Sequence, residues 1–157
     1  WIDTSELDLQ EKAVAEGTGG LNTGEAELLV RELKNYMERI GIRRILEEHI
    51  DFGVISPYRA QVHYLRHLLK KEPFFRPCRR LITVHTVDGF QGQDRDVIMI
   101  SLVRANEKGQ IGFLRDLRRM NVAITRARMK LLILGEAVTL TRHPFYRELY
   151  EYIGGLR

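Results

Sequence analysis

Four short runs of apolar residues constrain the fold of this chain most strongly, because polar side chains hardly interrupt them. They lie at residues 52–56 (FGVIS), 81–84 (LITV), 97–103 (VIMISLV) and 131–134 (LLIL). A strand covered on one face alternates apolar and polar residues, whereas a strand covered on both faces is apolar nearly throughout. The runs therefore predict a mostly parallel sheet that is buried on both sides.

Segments with helical periodicity separate and flank these runs. Asn22 or Thr23 can cap the first helix, and Gly41 ends it. Residues 1–21 are predicted to form a short strand and a polar, glycine-rich loop, and residues 72–80, with two prolines, a second loop. Strands that alternate with helices predict an α/β layered fold, in which ligands gather at the carboxyl ends of the strands. The apolar spacing predicts helices at residues 22–40, 60–71, 117–127 and 144–153.

The composition limits the class of protein. A chain of 157 residues suits a single domain. Cys78 is the only cysteine, which excludes an intramolecular disulfide and a cysteine zinc site and favours the cell interior, cytoplasmic or, in a eukaryote, nuclear. No apolar run has the length of a membrane span, so no membrane partner is expected.

Charge is distributed unevenly along the chain. Residues 1–52 contain 6 Lys/Arg and 12 Asp/Glu, a net charge of −6, whereas residues 53–157 contain 19 and 9, a net charge of +10. A basic surface of this kind suits an anionic partner, although a solvated basic face has the same composition.

A glycine-rich stretch at residues 17–20 precedes the first predicted helix but lacks the residues of a phosphate-binding loop. Gly19 and Gly24 have the right separation, yet Glu25 and Ala26 occupy the positions of the lysine and the Ser/Thr. A carboxylate there would repel a triphosphate. The histidines are scattered without a zinc-binding pattern, so the sequence predicts no metal site.

Several ordered segments resemble the motifs of superfamily 1 helicases, in the branch that includes the nonsense-mediated-decay helicase and senataxin. Motif V resembles residues 84–98 (VHTVDGFQGQDRDVI), and motif VI resembles residues 118–128 (RRMNVAITRAR). Further matches are residues 53–61 (GVISPYRAQ), residues 103–106 (VRAN), and Leu21-Asn22 followed by Glu25-Ala26. The resemblance covers nearly the whole chain.

The resemblance implies a RecA-like fold of the P-loop NTPase type without its own phosphate loop. Residues 1–157 would be the second, C-terminal motor domain, and the partner would be the first RecA-like domain of the same parent chain. ATP with Mg²⁺ would bind between the two domains, with the Mg²⁺ ligands in the first. The isolated chain is therefore expected to hydrolyse ATP negligibly.

The resemblance also assigns nucleotide-binding residues. Arg126 would be the arginine finger that reaches the γ-phosphate, where a planar cation stabilises the transferred phosphoryl group; the alternative is a surface arginine paired with a carboxylate. Gly92 would bring the backbone close to phosphate, and Asp94 would bind the ribose hydroxyls. The alternative for this pair is a tight turn with a capping aspartate.

Nucleic-acid contacts are expected on the other side of the same loop. Thr86 and Gln91 can hold a phosphate without reading the base sequence, which suits a motor on single-stranded DNA or RNA. Tyr58 could stack on a base or pack beneath its helix. Phe90 is expected to anchor the loop by packing. Further candidates for strand contacts are Ser56, Pro57 and Arg104.

The overall prediction is one half of an ATP-dependent superfamily 1 DNA/RNA helicase. The alternative is a non-catalytic nucleic-acid-binding module derived from the helicase fold. A small-molecule α/β enzyme is disfavoured, because neither a nucleotide fingerprint nor a catalytic dyad is present.

Overall fold

The computed structural model describes residues 1–13, 20–90 and 93–155. The strands are β1 (Ile2–Asp3), β2 (Lys12–Ala13), β3 (Gly20–Leu21), β4 (Phe52–Ile55), β5 (Ile82–His85), β6 (Arg95–Ser101) and β7 (Ala127–Gly135). The α-helices are α1 (Thr23–Ile40), α2 (Ile42–Glu48), α3 (Arg59–Lys71), α4 (Leu117–Ile124), α5 (Ala137–Leu140) and α6 (Pro144–Gly155). Short 3₁₀ segments cover Ser5–Leu7, Pro73–Leu81, Val87–Phe90 and Gly112–Arg115.

Within these ranges, five strands form one parallel sheet in the order β1-β7-β6-β4-β5, and β2 and β3 form a separate antiparallel pair. The predicted α/β fold with a mostly parallel sheet is therefore confirmed. Successive side chains of a strand point to opposite faces. In β6, Val97 and Met99 belong to the core on one face, and Ile98 and Ile100 belong to the core on the other.

The helices supply the remainder of the two cores. One core contains Leu29 and Leu33 of α1 and Leu65 of α3, and the other contains Met120 of α4 and Tyr146 of α6. Each face of the sheet thus has its own layer of helix, which explains the uninterrupted apolar runs.

Two local predictions need correction. Residues 72–80, predicted to be a loop, form most of the 3₁₀ segment Pro73–Leu81, which buries Phe75 and Cys78. The helix predicted to reach residue 127 ends at Ile124, because β7 begins at Ala127 and pairs with Arg95 of β6. Helix α2, which begins directly after Gly41, was not predicted. The prediction that Asn22 caps α1 is confirmed, since its side chain accepts a hydrogen bond from the Glu25 N–H.

A polar clasp joins the amino ends of three strands. Asp51, just before β4, and Asp96 of β6 exchange hydrogen bonds, each accepting the backbone N–H of the other at 2.7–3.1 Å. Arg128 of β7 donates from Nε to Asp96 Oδ1 at 3.1 Å and from Nη2 to Asp51 Oδ1 at 3.0 Å. Partial burial would raise the pKa of Asp96, but the Asp51 N–H and Arg128 outweigh burial and lower it.

We predict that Asp96→Ala lowers the free energy of unfolding at pH 7 by about 1–2 kcal/mol, because the Asp51 N–H and Arg128 lose an acceptor. A lowered pKa stabilises the fold above the ordinary value of 3.8, and this contribution is lost as the pH falls through the folded-state pKa. The difference in unfolding free energy between wild type and Asp96→Ala should therefore become smaller at acidic pH. Urea unfolding at pH 7 and near pH 3 measures both effects.

Glu48→Ala is the matched control, because Glu48 pairs with Arg44 in an exposed i,i+4 contact on α2. Its loss should change the unfolding free energy by no more than about 0.5 kcal/mol. Equal effects of the two substitutions would show that the clasp contributes no more than a surface pair.

Candidate functional site

The predicted site residues lie at two opposite edges of the sheet. Pro57 and Thr86 follow β4 and β5, and Arg104 lies three residues after β6, so these residues are at the carboxyl edge. Asp94 and Arg126 immediately precede β6 and β7, so they are at the amino edge. Asp94 and Arg126 therefore lie opposite to the carboxyl ends of the strands, where ligands of such folds usually gather. The seven residues of β6 separate the edges by about 20 Å.

Arg126 and Asp94 form an ion pair at the amino edge, with 3.5 Å between Nη1 and Oδ1. Arg126 lies in the turn after α4, and its Nε donates to the Val122 carbonyl at 3.2 Å. Its Nη2 lies 3.4 Å from the Thr125 hydroxyl. The Arg126 side chain is 21% exposed and that of Asp94 is 50% exposed. Two of the three predicted nucleotide-binding residues are thus brought together, with a guanidinium held on the protein side and a carboxylate facing solvent.

The segment from Thr86 to Asp94 connects the two edges. Its first turn, Val87–Phe90, packs on the sheet through Val87 and Phe90, which are both buried. The expected packing role of Phe90 is confirmed, and the Arg95 guanidinium lies 5.4 Å from its ring centre. A Cβ at Gly89 would lie 1.9 Å from Nδ1 of the exposed His85 ring, so a larger residue there would displace that ring. The predicted contacts of Gln91 and Gly92 lie outside the described residues.

A basic cleft of about 540 Å³ opens at the carboxyl edge, between α3 and the turn after β5. Arg59, His63 and Arg66 of α3 line one side, and His85 and Thr86 line the other. Arg66 is fixed there, because its Nε and Nη2 both donate to the Val84 carbonyl at 2.7–3.0 Å. The cleft offers the guanidinium groups of Arg59 and Arg66 and the Thr86 hydroxyl, beside the carboxylate of Asp88. Cations and hydroxyls are groups that hold phosphates without selecting a base.

Residues 56–58, next to the cleft, are less exposed than their predicted contacts with a nucleic-acid strand require. Tyr58 is 1% exposed, and its hydroxyl donates to the Ile111 carbonyl at 3.3 Å. This burial favours the packing alternative for Tyr58, because stacking on a base requires an open ring face. Ser56 is fully buried as well, whereas Pro57 is partly exposed.

Arg104 is half-buried and paired. Its Nε lies 2.9 Å from Glu11 Oε2, and the two side chains are 19% and 16% exposed. Glu11 also accepts from the Ala105 N–H at 3.2 Å and from the Asn106 amide. A strand phosphate would therefore reach Arg104 by exchanging with Glu11.

A buried polar cluster behind the carboxyl edge was not predicted as part of the site. It contains Asn22, Glu25, Gln61, Ser101 and the backbone of Val103. Burial raises the pKa of Glu25 to about 7, against the hydrogen bonds from Ser101 and Val103, which lower it; Glu136 adds a small repulsion. The available sequence signal was the resemblance at Asn22 and Glu25, which carried no indication of burial.

We predict that Glu25 makes the unfolding free energy fall as the pH rises from about 4.5 to about 7. An acid whose folded-state pKa is raised stabilises the fold below its unfolded pKa, and the contribution is lost as the pH rises through the folded value. The full change is on the order of 3 kcal/mol, from about 1.4 kcal/mol per pKa unit. Urea unfolding of wild type and Glu25→Gln at several pH values measures it.

The Glu25→Gln variant should lack this component, because an amide does not titrate. Glu38→Gln, an exposed change on the same helix, should retain it. The prediction would be contradicted if the unfolding free energies of wild type and Glu25→Gln changed with pH in the same way.

Comparison with known proteins identifies a family and several relatives. The model of a family described as AAA domain matches residues 1–138. DNA polymerase alpha-associated DNA helicase A of Saccharomyces cerevisiae is 41% identical over 142 residues, which are 90% of this chain and 20% of that protein. Regulator of nonsense transcripts 1 of Dictyostelium discoideum is 36% identical over 143 residues, covering 90% of this chain and 10% of that protein. Helicase sen1 of Schizosaccharomyces pombe is 48% identical over 99 residues, covering 63% and 6%.

The family match covers most of the chain, so the chain belongs to this AAA domain family, as a C-terminal RecA-like domain of the superfamily 1 helicase type. It spans at most a fifth of the length of these three relatives. None of the helices in the described ranges has the length and apolar character needed to cross a membrane. Residues 1–13, 20–90 and 93–155 contain no cluster of three or more potential metal ligands.

Proposed function

We propose that this chain is the C-terminal motor domain of an ATP-dependent helicase, with nucleotide at its amino edge and a single nucleic-acid strand at its carboxyl edge. The observation that carries the proposal is where the two ends of the segment between β5 and β6 lie. This one segment begins beside the basic cleft at Thr86 and ends at Asp94, which pairs with Arg126. A motor needs such a connection, because nucleotide state has to alter the grip on the strand.

On the nucleotide side, ATP with Mg²⁺ would lie between this domain and the first RecA-like domain of the same parent chain. The Arg126 guanidinium would leave Asp94 for the γ-phosphate and stabilise the charge of the transferred group. Asp94, released from the pair, would accept from the ribose hydroxyls, and the backbone at Gly92 would approach phosphate. We assign the Mg²⁺ ligands to the first domain.

On the strand side, the basic cleft would hold the phosphates of single-stranded DNA or RNA. Thr86 and Arg59 would contact the backbone, Pro57 would border the path, and Gln91 and Arg104 would extend it. Ser56 and Tyr58 are buried, so they would not touch the strand. They would instead fix the backbone conformation of residues 56–58 by packing inside the domain. We place the domain inside the cell, in the cytoplasm or the nucleus, where single-stranded DNA or RNA is present.

We predict that Arg126→Ala in the full-length parent lowers strand-stimulated ATP turnover about 10³-fold or more, which is the contribution of an arginine finger. Strand binding should survive, because Arg126 lies at the other edge of the sheet. Steady-state ATP hydrolysis and fluorescence anisotropy of a labelled strand measure the two properties. The isolated chain, lacking a phosphate loop, should hydrolyse ATP negligibly.

Arg43→Ala is the matched control, since Arg43 is 92% exposed on α2 and pairs with Glu47. It should leave turnover unchanged. Normal turnover by Arg126→Ala would remove the finger assignment. A wild-type parent that binds strands without hydrolysing ATP would instead support the alternative of a non-catalytic binding module.

We predict that strand binding by the chain weakens steeply with salt and that Arg59→Ala lowers the slope of log affinity against log salt by about 0.7. This is the value for one phosphate contact on a single strand. Titrations of labelled oligo(dT) and oligo(U) at about 50–300 mM salt measure the slope. Arg147→Ala, an exposed arginine on α6 outside the cleft, should leave it unchanged.

Equal slopes for wild type, Arg59→Ala and Arg147→Ala would place the strand away from the cleft. Binding that does not respond to salt would argue against phosphate contacts altogether.

A further inference from the structure

The turn that follows β6 has an unfavourable backbone conformation. Val103 has a φ of +69°, in the left-handed region, although it is a β-branched residue that rarely adopts it. Such a conformation persists where surrounding contacts enforce it. The turn directs the chain into Arg104, Ala105 and Asn106, which lie at the carboxyl edge.

The turn is closed by a hydrogen bond from the Arg104 N–H to the Leu102 carbonyl at 2.7 Å, and Glu25 supplies side-chain contacts that anchor it. Its Oε1 accepts from the Val103 N–H at 2.8 Å and from the Ser101 hydroxyl at 2.6 Å, so one oxygen holds both the last residue of β6 and the strained residue. Asn22, which caps the helix that carries Glu25, donates from Nδ2 to the Val103 carbonyl at 3.1 Å. Both backbone polar groups of Val103 are thereby fixed by the first turn of α1.

Gln61 of α3 locks the same cluster from the other side. Its Nε2 donates to Ser101 Oγ at 3.1 Å and to the Asn22 carbonyl at 3.0 Å, and its Oε1 accepts from the Asn22 N–H at 2.9 Å. Helix α3 also carries Arg59, which lines the basic cleft. The cluster therefore ties α1, the arginine-bearing helix α3 and the turn after β6 into one unit.

We propose that Glu25 is a positioning residue for the strand grip, acting through the Val103 turn to set where Arg104 and its neighbours meet the nucleic acid. This inference rests on the proposed function of the carboxyl edge. Glu25 is fully buried, so its side chain does not reach a strand at the surface. Its effect on binding would come from the direction in which the backbone leaves β6.

The chemistry of the cluster explains why an acceptor is needed at this position. An aliphatic side chain would leave the Val103 N–H and the Ser101 hydroxyl without their acceptor in a buried site, so the left-handed turn would keep only its backbone hydrogen bond, from the Arg104 N–H to the Leu102 carbonyl at 2.7 Å, and the Asn22 contact. A glutamine retains the accepting oxygen and places its NH₂ where Oε2 now has no hydrogen-bond partner among the described residues. Leucine at position 25 removes both the accepting oxygen and the negative charge, whereas glutamine removes only the charge. Comparing the two substitutions shows which of these features matters.

The test compares Glu25→Leu, Glu25→Gln and the control Glu38→Leu in the full-length parent. Glu25→Leu should weaken binding of labelled oligo(dT) and oligo(U) about tenfold, the effect of losing roughly one well-made hydrogen bond. It should raise the strand concentration for half-maximal ATP hydrolysis equally and leave turnover at saturating strand within about twofold. Glu25→Gln should rescue binding to within about twofold of wild type, and Glu38→Leu should match wild type.

Binding by Glu25→Leu that equals wild type would overturn the inference, as would equal weakening by Glu25→Gln and Glu25→Leu. If Glu25→Leu does not fold, Ser101→Ala removes one donor and keeps the helix cap; it should weaken binding at least twofold, and unchanged binding would refute the role. A wild-type parent that binds strands but lacks ATPase activity contradicts the motor proposal alone, because the binding curves still decide the role of Glu25.

Discussion

Burial of the sheet on both faces is the constraint on which the rest of the structure depends. In the central strand β6, Val97 and Met99 pack in one core and Ile98 and Ile100 pack in the other. The middle of this strand therefore has only apolar side chains and no group that binds a ligand. Polar groups that bind ligands are confined to the strand ends, where they reach solvent. The two proposed sites consequently lie at separate edges, and any communication between them has to pass over or around the sheet.

The strands and most helices were predictable because their signals are local. An apolar run of four to seven residues or a stripe at helical spacing is visible in the sequence without knowledge of the partner. The end of α4 was not predictable in this way, since residues 125–128 would continue the helical pattern. Pairing of Ala127 with Arg95 ends the helix instead and places Arg126 in a turn. Similarly, Tyr58 is buried by a contact with Ile111, 53 residues further along the chain.

The polar cluster around Glu25 shows the same limit more clearly for the site. Glu25, Gln61 and Ser101 come from α1, α3 and β6, and Glu25 and Ser101 are 76 positions apart in the sequence. A glutamate in the first turn of a helix usually faces solvent and interacts with the helix dipole. Its burial is a property of the assembled fold, because only there do a serine hydroxyl and a strained backbone N–H converge on one oxygen. The sequence resemblance singled out Asn22 and Glu25, but it did not indicate that Glu25 is buried.

The same reasoning explains the pairing of Arg126 with Asp94. A guanidinium that is 21% exposed needs an anionic partner, and Asp94 provides one at 3.5 Å, a distance longer than a well-formed hydrogen bond. A long, partly exposed pair has a small exchange cost, so under the proposed function a γ-phosphate with more charge would replace the carboxylate. Since Asp94 ends the segment that starts at Thr86, this exchange would release one end of a segment whose other end borders the basic cleft. Partner exchange at the amino edge would then differ between nucleotide states, which is what coupling between two sites requires.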